Sequence, residues 1–464
     1  MVFSSVPFLF YFLPCALILY FISPKPLKNT ALLISSLVFY AWDKPKFAIV
    51  MVASILLGYI FGLLIEKFRG KTLAKLFLVL SVGSSVATLG IFKYTDFFIS
   101  TLNSASGLSV ALTGIALPIG ISFYTFQILS YTVDVYRGDV AAQKNPISLA
   151  AYVAMFPQLI AGPIVRYSDI EKQLKSRNHN FEMAAQGIRR FVFGLGKKVL
   201  IADALGELCE TFKLSDDKSV LFYWIYAIAY TLQIYFDFSG YSDMAIGMGK
   251  MFGFEFLENF DYPYISGSVT EFWRRWHMSL GSWFRDYVYI PLGGNRVSKI
   301  KWFRNIFVVW FLTGFWHGAA WNFIVWGLYF AVLLMLEKLW LKKYLDKSKV
   351  LRHVYVMFLV IISFVIFNAA DMGEAARYIA SMFGFGNVPV FSAEWLYYLR
   401  NYAVVIILAI IGATPLPKKF ISKLSEKNEK FANIIEPVVL IGMMLVITAY
   451  LVDGSFEAFL YFRF

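Results

Sequence analysis

Histidine is the residue type in this sequence best suited to proton transfer, and two of its histidines lie in apolar surroundings. The chain has four histidines. His277 follows the residues Glu-Phe-Trp-Arg-Arg-Trp, and His317 follows Leu-Thr-Gly-Phe-Trp and precedes Gly-Ala-Ala-Trp-Asn. Burial in an apolar environment keeps an imidazole neutral at pH 7, and a neutral imidazole can act as a general base. Both residues are therefore candidate catalytic groups.

Other interpretations of these histidines stay open at this stage. A histidine inside a membrane also serves as a hydrogen-bonding contact between helices. A metal site would need further ligands, for which Asp243 and Asp286 are candidates, but we expect no metal. His179 and His353 lie in charged sequence and are expected at the solvent or the lipid headgroups. Small residues near the apolar Trp-His-Gly segment would let a substrate or another helix approach closely: Gly314, Gly318, Ala319 and Ala320.

Two aspartates, Asp237 and Asp243, lie in the apolar stretch Phe-Asp-Phe-Ser-Gly-Tyr-Ser-Asp-Met-Ala-Ile-Gly-Met-Gly. Its glycine spacing is similar to that of a phosphate-binding loop, but no strand–turn–helix pattern surrounds it. Buried carboxylates need partners, and Arg274, Arg275 and Arg285 are plausible ones. The same carboxylates would also suit a tunnel wall that faces a hydrophilic ligand.

The elements that must hold these residues are membrane helices. The chain has 464 residues, of which 59% are hydrophobic and 16% charged, whereas soluble proteins carry about 25% charged residues. Basic cytoplasmic loops account for the net charge of +13 better than nucleic-acid binding does. The two cysteines exclude a disulfide framework.

Apolar runs recur along the whole chain and predict an all-α polytopic membrane protein. A spanning helix needs about 20 apolar residues. Candidate runs lie near residues 30–42, 46–65, 76–92, 118–133, 147–163, 186–203, 219–236, 303–336, 353–369, 398–414 and 433–451. Because 303–336 is long enough for two segments, we expect about 11–13 transmembrane or re-entrant helices. Polar residues and prolines interrupt the runs between 115 and 295, which predicts re-entrant or tilted helices around a cavity.

Five segments, in this order, resemble the membrane-bound O-acyltransferase family and within it the bacterial alginate O-acetyltransferase-like branch. They are FPQLIAGPIVR (156–166), YFDFSGYSDMAIGMGKMFGF (235–254), NFDYPYIS (259–266), TEFWRRWHMSLGSWFRDYVYIPLGGN (270–295) and TGFWHGAAWNFIVWG (313–327). The terminal FLYFRF (459–464) is also similar to this branch. The resemblance spans nearly the whole chain.

The resemblance implies one membrane domain over residues 1–464, located as a multi-pass protein in a bacterial cytoplasmic membrane. Residues 1–115 would form N-terminal helices and residues 337–464 C-terminal helices. Residues 116–336 would form the catalytic core around a central tunnel or funnel. Basic residues on the cytoplasmic side would attract the phosphates of a nucleotide-bearing acyl donor.

The resemblance also implies an acetyl-transfer activity. The donor is expected to be cytoplasmic acetyl-CoA, with no bound cofactor, and the acetyl group is expected to end on an extracellular polysaccharide. Expected partners are an exported acetyltransferase of the SGNH-hydrolase type, the polysaccharide synthesis machinery and membrane lipid, and no nucleic acid. Alginate, cellulose and peptidoglycan-related glycans are all compatible acceptors.

Within this resemblance, His317 matches the family's essential histidine and His277 the second functional histidine of the branch. We expect His317 to be the base and His277 to orient a group or relay a proton. Trp316 and Trp276 would wall the tunnel. Asn322 or Tyr241 would donate to the developing oxyanion. Asp243 and Arg275 complete the expected substrate-binding set.

Two other functions compete with this one. The same buried polar residues would suit a transporter or flippase of a polar or lipid-linked cell-envelope precursor, and a scaffold would only recruit the exported enzyme. Neither predicts a requirement for a histidine at membrane depth between tryptophans. Replacement of His317 therefore discriminates between catalysis and the other functions.

Overall fold

Every regular element in the described part of the chain is a helix. The computed structural model describes residues 1–42, 44–160 and 162–454, so the terminal FLYFRF segment lies outside the described residues. Helix content of this kind, with no strand between residues 1 and 454 outside the two gaps, confirms the predicted all-α class.

The first compact unit comprises Met1–Phe191 and Tyr241–Leu257. Its α-helices are α1 (Leu13–Ile22), α2 (Lys28–Ala41), α3 (Lys46–Lys67), α4 (Thr72–Leu89), α5 (Thr95–Ser106), α6 (Ile121–Arg137), α7 (Pro146–Ala154), α8 (Phe156–Leu159), α9 (Tyr167–Lys175) and most of α10 (Phe181–Gly196). Helix α3 packs against α4 and α6, and α2 packs against α7. Phe8, Phe39 and Phe156 contact one another in its core.

The second compact unit comprises Val192–Gly240 and the described residues from Glu258 onward. Its α-helices are α11 (Asp203–Leu214), most of α12 (Val220–Met251), α13 (Val269–Arg275), α14 (Met278–Phe284), α15 (Lys299–His317), α16 (Trp321–Leu336), α17 (Lys342–Leu345), α18 (Lys349–Asn368), α19 (Met372–Met382), α20 (Ala393–Gly412), α21 (Leu416–Lys427) and α22 (Glu429–Asp453). Helix α16 packs against α13, α15 and α18, and these contacts surround the candidate site.

Short segments of other helical geometry adjoin these α-helices. Wide π-helical turns occupy Phe8–Phe12, Gly90–Tyr94, Lys197–Ala202, Arg285–Tyr289 and Glu337–Leu341. Tight 3-10 turns occupy Lys25–Leu27 and Pro263–Ile265.

Six helical segments in the described residues are long and apolar enough to cross a membrane. They are Lys46–Lys67, Thr72–Ser106, Trp321–Leu345, Lys349–Asn368, Ala393–Gly412 and Ala432–Asp453. The chain is therefore a multi-pass membrane protein. None of the six lies between residues 115 and 295, and the re-entrant or tilted helices around a cavity expected there stay a prediction.

Several of the shorter apolar runs form helices that are too short to span. The run near 30–42 forms α2 with 14 residues. The run near 147–163 does not form one continuous helix. Helix α7 ends at Ala154, and the next helix, α8, has only four residues and contains a proline. Six segments of the described chain thus meet the length and hydropathy needed to cross by themselves. The tunnel and the three-part division of the domain stay predictions.

The glycines of α12 allow close helix packing and do not form a phosphate-binding loop. In the first unit, a Cβ on Gly247 would lie 2.6 Å from the carbonyl oxygen of Gly187. In the second unit, a Cβ on Gly240 would lie 2.7 Å from the carbonyl oxygen of Gly194. Both contacts join α12 to α10, and real Cβ atoms essentially never approach other heavy atoms so closely.

Candidate active site

His277 lies at the junction of two seven-residue helices, α13 and α14, in the second unit. Its backbone is left-handed, with φ 47° and ψ 52°. A non-glycine residue in this region costs of order 1–3 kcal/mol and persists only where surrounding contacts hold it. The residue is 1% exposed. The backbone therefore fixes the direction in which the imidazole leaves the chain.

Main-chain hydrogen bonds from the Asn259–Asp261 segment hold this junction on both sides. The backbone N–H of Met278 donates to the carbonyl of Asn259 at 3.0 Å, and the backbone N–H of Asp261 donates to the carbonyl of Arg275 at 2.9 Å. The two bonds flank the left-handed residue His277.

The first turn of α13 is anchored by side chains. Ser268 accepts from the backbone N–H of Glu271 at 2.9 Å. The buried carboxylate of Glu337 accepts from the backbone N–H of Val269 at 2.7 Å. Because a carboxylate at a helix N-terminus satisfies donors that the helix leaves open, α13 is held against the Glu337–Leu341 turn.

The imidazole of His277 is enclosed by aromatic rings. It makes an edge contact with Phe238 at 4.7 Å between ring centroids and a tilted contact with Trp316 at 6.1 Å. His277 lies outside the six apolar spans, and burial lowers its pKa to about 3. The side chain is therefore neutral at physiological pH.

His317 is the last residue of α15, and its ring is enclosed by three aromatic side chains. The ring centroids lie 5.0 Å from Trp316, 5.1 Å from Trp326 and 5.4 Å from Phe367. The residue is 8% exposed. The chain turns extended at Gly318 and re-enters a helix at Trp321, which confirms that the 303–336 run contains two helices.

Trp316 joins the two predicted histidines into one site. Its ring contacts the imidazoles of both His277 and His317. The sequence pattern alone placed the two histidines in separate segments, and the fold of the second unit brings both within reach of one indole.

Close packing of α15 on α16 sets the position of this site. A Cβ on Gly314 would collide with the carbonyl oxygen of Phe323, and a Cβ on Gly327 would collide with that of Trp310. A Cβ on Gly318 would collide with the ring of Phe323. The prediction that the small residues near His317 admit another helix is therefore confirmed.

Trp276 packs into the aromatic core of the second unit rather than against the histidines. Its ring stacks on Phe272 and Tyr264 and makes edge or tilted contacts with other rings. It is 4% exposed. The residue holds the polypeptide immediately before His277, and its predicted place in a tunnel wall stays a prediction.

Asn322 holds the C-terminal end of α18. Its Nδ2 donates to the carbonyl of Ala369 at 2.9 Å, with longer contacts to the carbonyls of Phe367 and Ile366. Since Phe367 contacts His317, this anchor supports the aromatic enclosure of that histidine. The predicted donation from Asn322 to an oxyanion stays a prediction.

The predicted arginine partners of the buried aspartates are wrong. Arg275 pairs with Asp261 at 2.8 Å and Glu271 at 3.0 Å, and Arg285 pairs with its neighbour Asp286. Arg274 is exposed. Arg275 and Arg285 pair with acids that are closer along the chain than the α12 carboxylates.

The buried aspartates instead pair with basic residues of α10 and of the π-helical turn that follows it. In the second unit, Lys198 lies 3.0 Å from Asp237 and 2.6 Å from Asp203, and its side chain is 2% exposed. In the first unit, Arg190 donates to Asp243 from Nε at 3.0 Å and Nη2 at 2.8 Å.

The remaining predicted residues have the following surroundings. Tyr241, in the first unit, stacks on Phe3 with 4.4 Å between centroids. His179 and His353 are exposed, as expected. The structure contains no cluster of three or more His, Cys, Asp or Glu residues suited to a metal within residues 1–42, 44–160 and 162–454.

The sequence reasoning assigned no role to Asn259, Phe238, Trp326 or Phe367. Asn259 begins the NFDYPYIS segment, and its side chain contacts His277 Nδ1 at 3.1 Å. The sequence feature that could have identified Asn259 is a polar residue at the start of an aromatic segment. The three aromatic rings gave no signal of their own, because the sequence is aromatic throughout.

Comparison with known proteins assigns the sequence to one family. Residues 104–370 match the membrane-bound O-acyltransferase family. The chain is 46% identical over 393 residues to a protein of Azotobacter vinelandii named "Probable alginate O-acetylase", covering 83% of this chain and 79% of that protein.

More distant relatives carry related names. The peptidoglycan O-acetyltransferase of Helicobacter pylori is 34% identical over 427 residues, covering 84% of this chain and 81% of that protein. The teichoic acid D-alanyltransferase of Bacillus subtilis is 32% identical over 242 residues, covering 49% of this chain and 61% of that protein. The family match includes both buried histidines. The chain therefore belongs to the membrane-bound O-acyltransferase family and is a multi-pass membrane O-acyltransferase.

Proposed function

We propose that the chain takes acetyl from cytoplasmic acetyl-CoA and moves it across a bacterial cytoplasmic membrane for O-acetylation of an extracellular polysaccharide. An exported acetyltransferase of the SGNH-hydrolase type completes the transfer alongside the polysaccharide synthesis machinery. Relatives named as an alginate O-acetylase and a peptidoglycan O-acetyltransferase support acetyl as the transferred group and a cell-envelope glycan as its destination.

The observation that carries the proposal is the pair of buried imidazoles in contact with one indole. His277 and His317 are 1% and 8% exposed, and both rings contact Trp316. A neutral imidazole in a site that excludes water can take a proton from a hydroxyl as its oxygen attacks. If one histidine served only to pack helices together, the second histidine would not need to contact the same indole ring.

In the proposed reaction, the oxygen of an acceptor hydroxyl bonds to the carbonyl carbon of the acetyl thioester while the carbon–sulfur bond to CoA breaks. His317 accepts the hydroxyl proton and delivers it to the departing thiolate, so atoms and charge balance. His277 relays that proton within the pair. Asn322 stabilises the oxyanion that forms on the carbonyl oxygen.

Replacement of His317 by alanine in the organism that encodes the chain tests the proposal. We expect the O-acetyl content of the extracellular polysaccharide to fall to background, because no base remains for the transfer. The matched control is His353→Ala, which removes an exposed histidine of α18 and should leave acetylation normal. Normal O-acetyl content in His317→Ala, at a normal amount of membrane-inserted protein, would contradict the catalytic role and favour transport or recruitment.

A further inference from the structure

The side chain of Asn259 connects His277 to the first turn of α14. Its Oδ1 lies 3.1 Å from His277 Nδ1, and it accepts from the backbone N–H of Ser279 at 3.2 Å and from Ser279 Oγ at 2.8 Å. Asn259 and His277 are each 1% exposed, and Ser279 is 2% exposed. These contacts are therefore shielded from water and hold one geometry.

The backbone of Ser279 determines which way the Asn259 amide faces. A backbone N–H only donates, so the amide atom that faces it is the oxygen and not the nitrogen. The amide oxygen only accepts, so the proton between Asn259 Oδ1 and His277 Nδ1 must belong to the imidazole. A neutral imidazole carries a single N–H, and Nε2 of His277 is then left with an unshared lone pair.

The other ring nitrogen of His277, Nε2, takes no part in the contacts that hold Nδ1. Nε2 has no hydrogen-bond partner among the described residues. The ring that carries it contacts Trp316, and Trp316 contacts His317. The hydrogen bond at Nδ1 prevents the ring from presenting Nδ1 in place of Nε2.

We propose that Asn259 is a positioning residue that holds His277 as the Nδ1–H tautomer and so makes Nε2 the atom that accepts a proton during acetyl transfer. This inference rests on the proposed function. Nε2 accepts the proton that His317 takes from the acceptor hydroxyl, and the pair returns it to the CoA thiolate. The histidines thereby regain their starting protonation states.

The tautomer can be measured directly, because the chain has only four histidines. The full-length protein, labelled with ¹⁵N-histidine and reconstituted in lipid vesicles, gives one pair of ring-nitrogen resonances per histidine. Loss of one pair in His277→Gln assigns the signals. We expect protonated Nδ1 and unprotonated Nε2 at His277 at neutral pH. A proton on Nε2 instead would overturn the proposal.

Variants of Asn259 separate positioning from simple packing. Asn259→Asp keeps an oxygen acceptor, so we expect Nδ1 to stay protonated and acetyl transfer to exceed that of Asn259→Ala. Asn259→Ala removes the acceptor; we expect a mixture of tautomers and a kcat at least about tenfold lower, with little change in KM for acetyl-CoA. If Asn259→Ala does not fold, Asn259→Asp still decides, because an unprotonated Nδ1 in that variant would overturn the proposal.

Asn305→Ala is the matched control for loss of a buried asparagine. Asn305 lies on α15, is fully buried and donates to the carbonyls of Leu292 and Gly294 at 3.1 Å, and it takes no part in the Asn259 and Ser279 contacts of His277. We expect it to lower thermal stability and leave the His277 tautomer unchanged. A tautomer change in this variant as large as that in Asn259→Ala would contradict a specific role for Asn259.

Failure of this inference and failure of the proposed function give different results. The tautomer is read without substrate, so a proton on Nε2 rejects the role of Asn259 even if acetyl transfer is normal. An Nδ1–H tautomer combined with undiminished acetyl transfer in His277→Gln would instead reject the catalytic use of the histidine pair.

Discussion

At the scale of single residues, the chemistry follows from a few polar groups in apolar surroundings. His277 and His317 could be selected from the sequence because an ionisable group at membrane depth is costly and is retained for a reason. The left-handed backbone of His277 and its contact with Asn259 could not be selected. Both depend on hydrogen bonds between the segments around residues 259 and 277, and no local sequence pattern indicates that these segments are paired.

Trp316 gives the first prediction at this scale, because its ring contacts both imidazoles. We expect Trp316→Ala to lower kcat for acetyl transfer by at least about tenfold, since loss of the ring lets both histidines shift from their reacting positions. Trp316→Phe keeps an aromatic contact and should retain more activity than the alanine variant. The measurement is the initial rate of acetyl transfer by purified protein at equal protein concentration.

Trp321→Ala is the matched control for Trp316→Ala. Trp321 begins α16 and is 53% exposed, so its replacement should leave the rate near that of the native protein. Equal losses in Trp321→Ala and Trp316→Ala would show that general aromatic packing, and not contact with the histidines, sets the rate.

At the scale of elements, the hairpin of α15 and α16 places His317. The sequence predicted two helices within the 303–336 run and close approach at its small residues, and both features are present. The ion pairs predicted from the sequence were wrong. Asp237 pairs with Lys198 and Asp243 pairs with Arg190, rather than with the predicted arginines. Helix periodicity determines on which face of its own helix a residue lies, but not which other helix packs against that face.

Gly314 gives the prediction at this scale. A Cβ there would collide with the backbone of α16 at Phe323, and overpacking of this kind costs about 1–3 kcal/mol. We expect Gly314→Ala to lower the thermal unfolding midpoint of the purified protein and to reduce acetyl transfer. The change should affect His317 because that residue follows within one helical turn.

Gly442→Ala provides the control for Gly314→Ala. Gly442 lies within α22, and a Cβ there meets no atom within 4 Å. Alanine is favoured over glycine in a helix by about 0.5–1 kcal/mol, so we expect an unfolding midpoint that is unchanged or slightly higher. A midpoint for Gly314→Ala that matches this control would contradict the tight packing of α15 on α16.

At the scale of the whole molecule, composition was sufficient to predict a helical multi-pass membrane protein. The net charge of +13 and the low charged fraction agree with six apolar spans joined by basic segments. Six of the expected transmembrane or re-entrant helices are long and apolar enough to cross a membrane by length and composition, and none of these six lies between residues 115 and 295. The two compact units could not be predicted, since two of their three boundaries fall inside the continuous helices α10 and α12.

The central claim is that the buried histidine pair catalyses acetyl transfer from acetyl-CoA. The most direct test follows the release of CoA thiol and the departure of label from [¹⁴C]acetyl-CoA. The native full-length chain is reconstituted in lipid vesicles with the exported acetyltransferase and polysaccharide of the same host. We predict transfer of label to the polysaccharide by the native chain, and a rate at least about 100-fold lower for His317→Gln. Label that stays on CoA with the native chain, or that leaves CoA equally fast with His317→Gln, would contradict the claim.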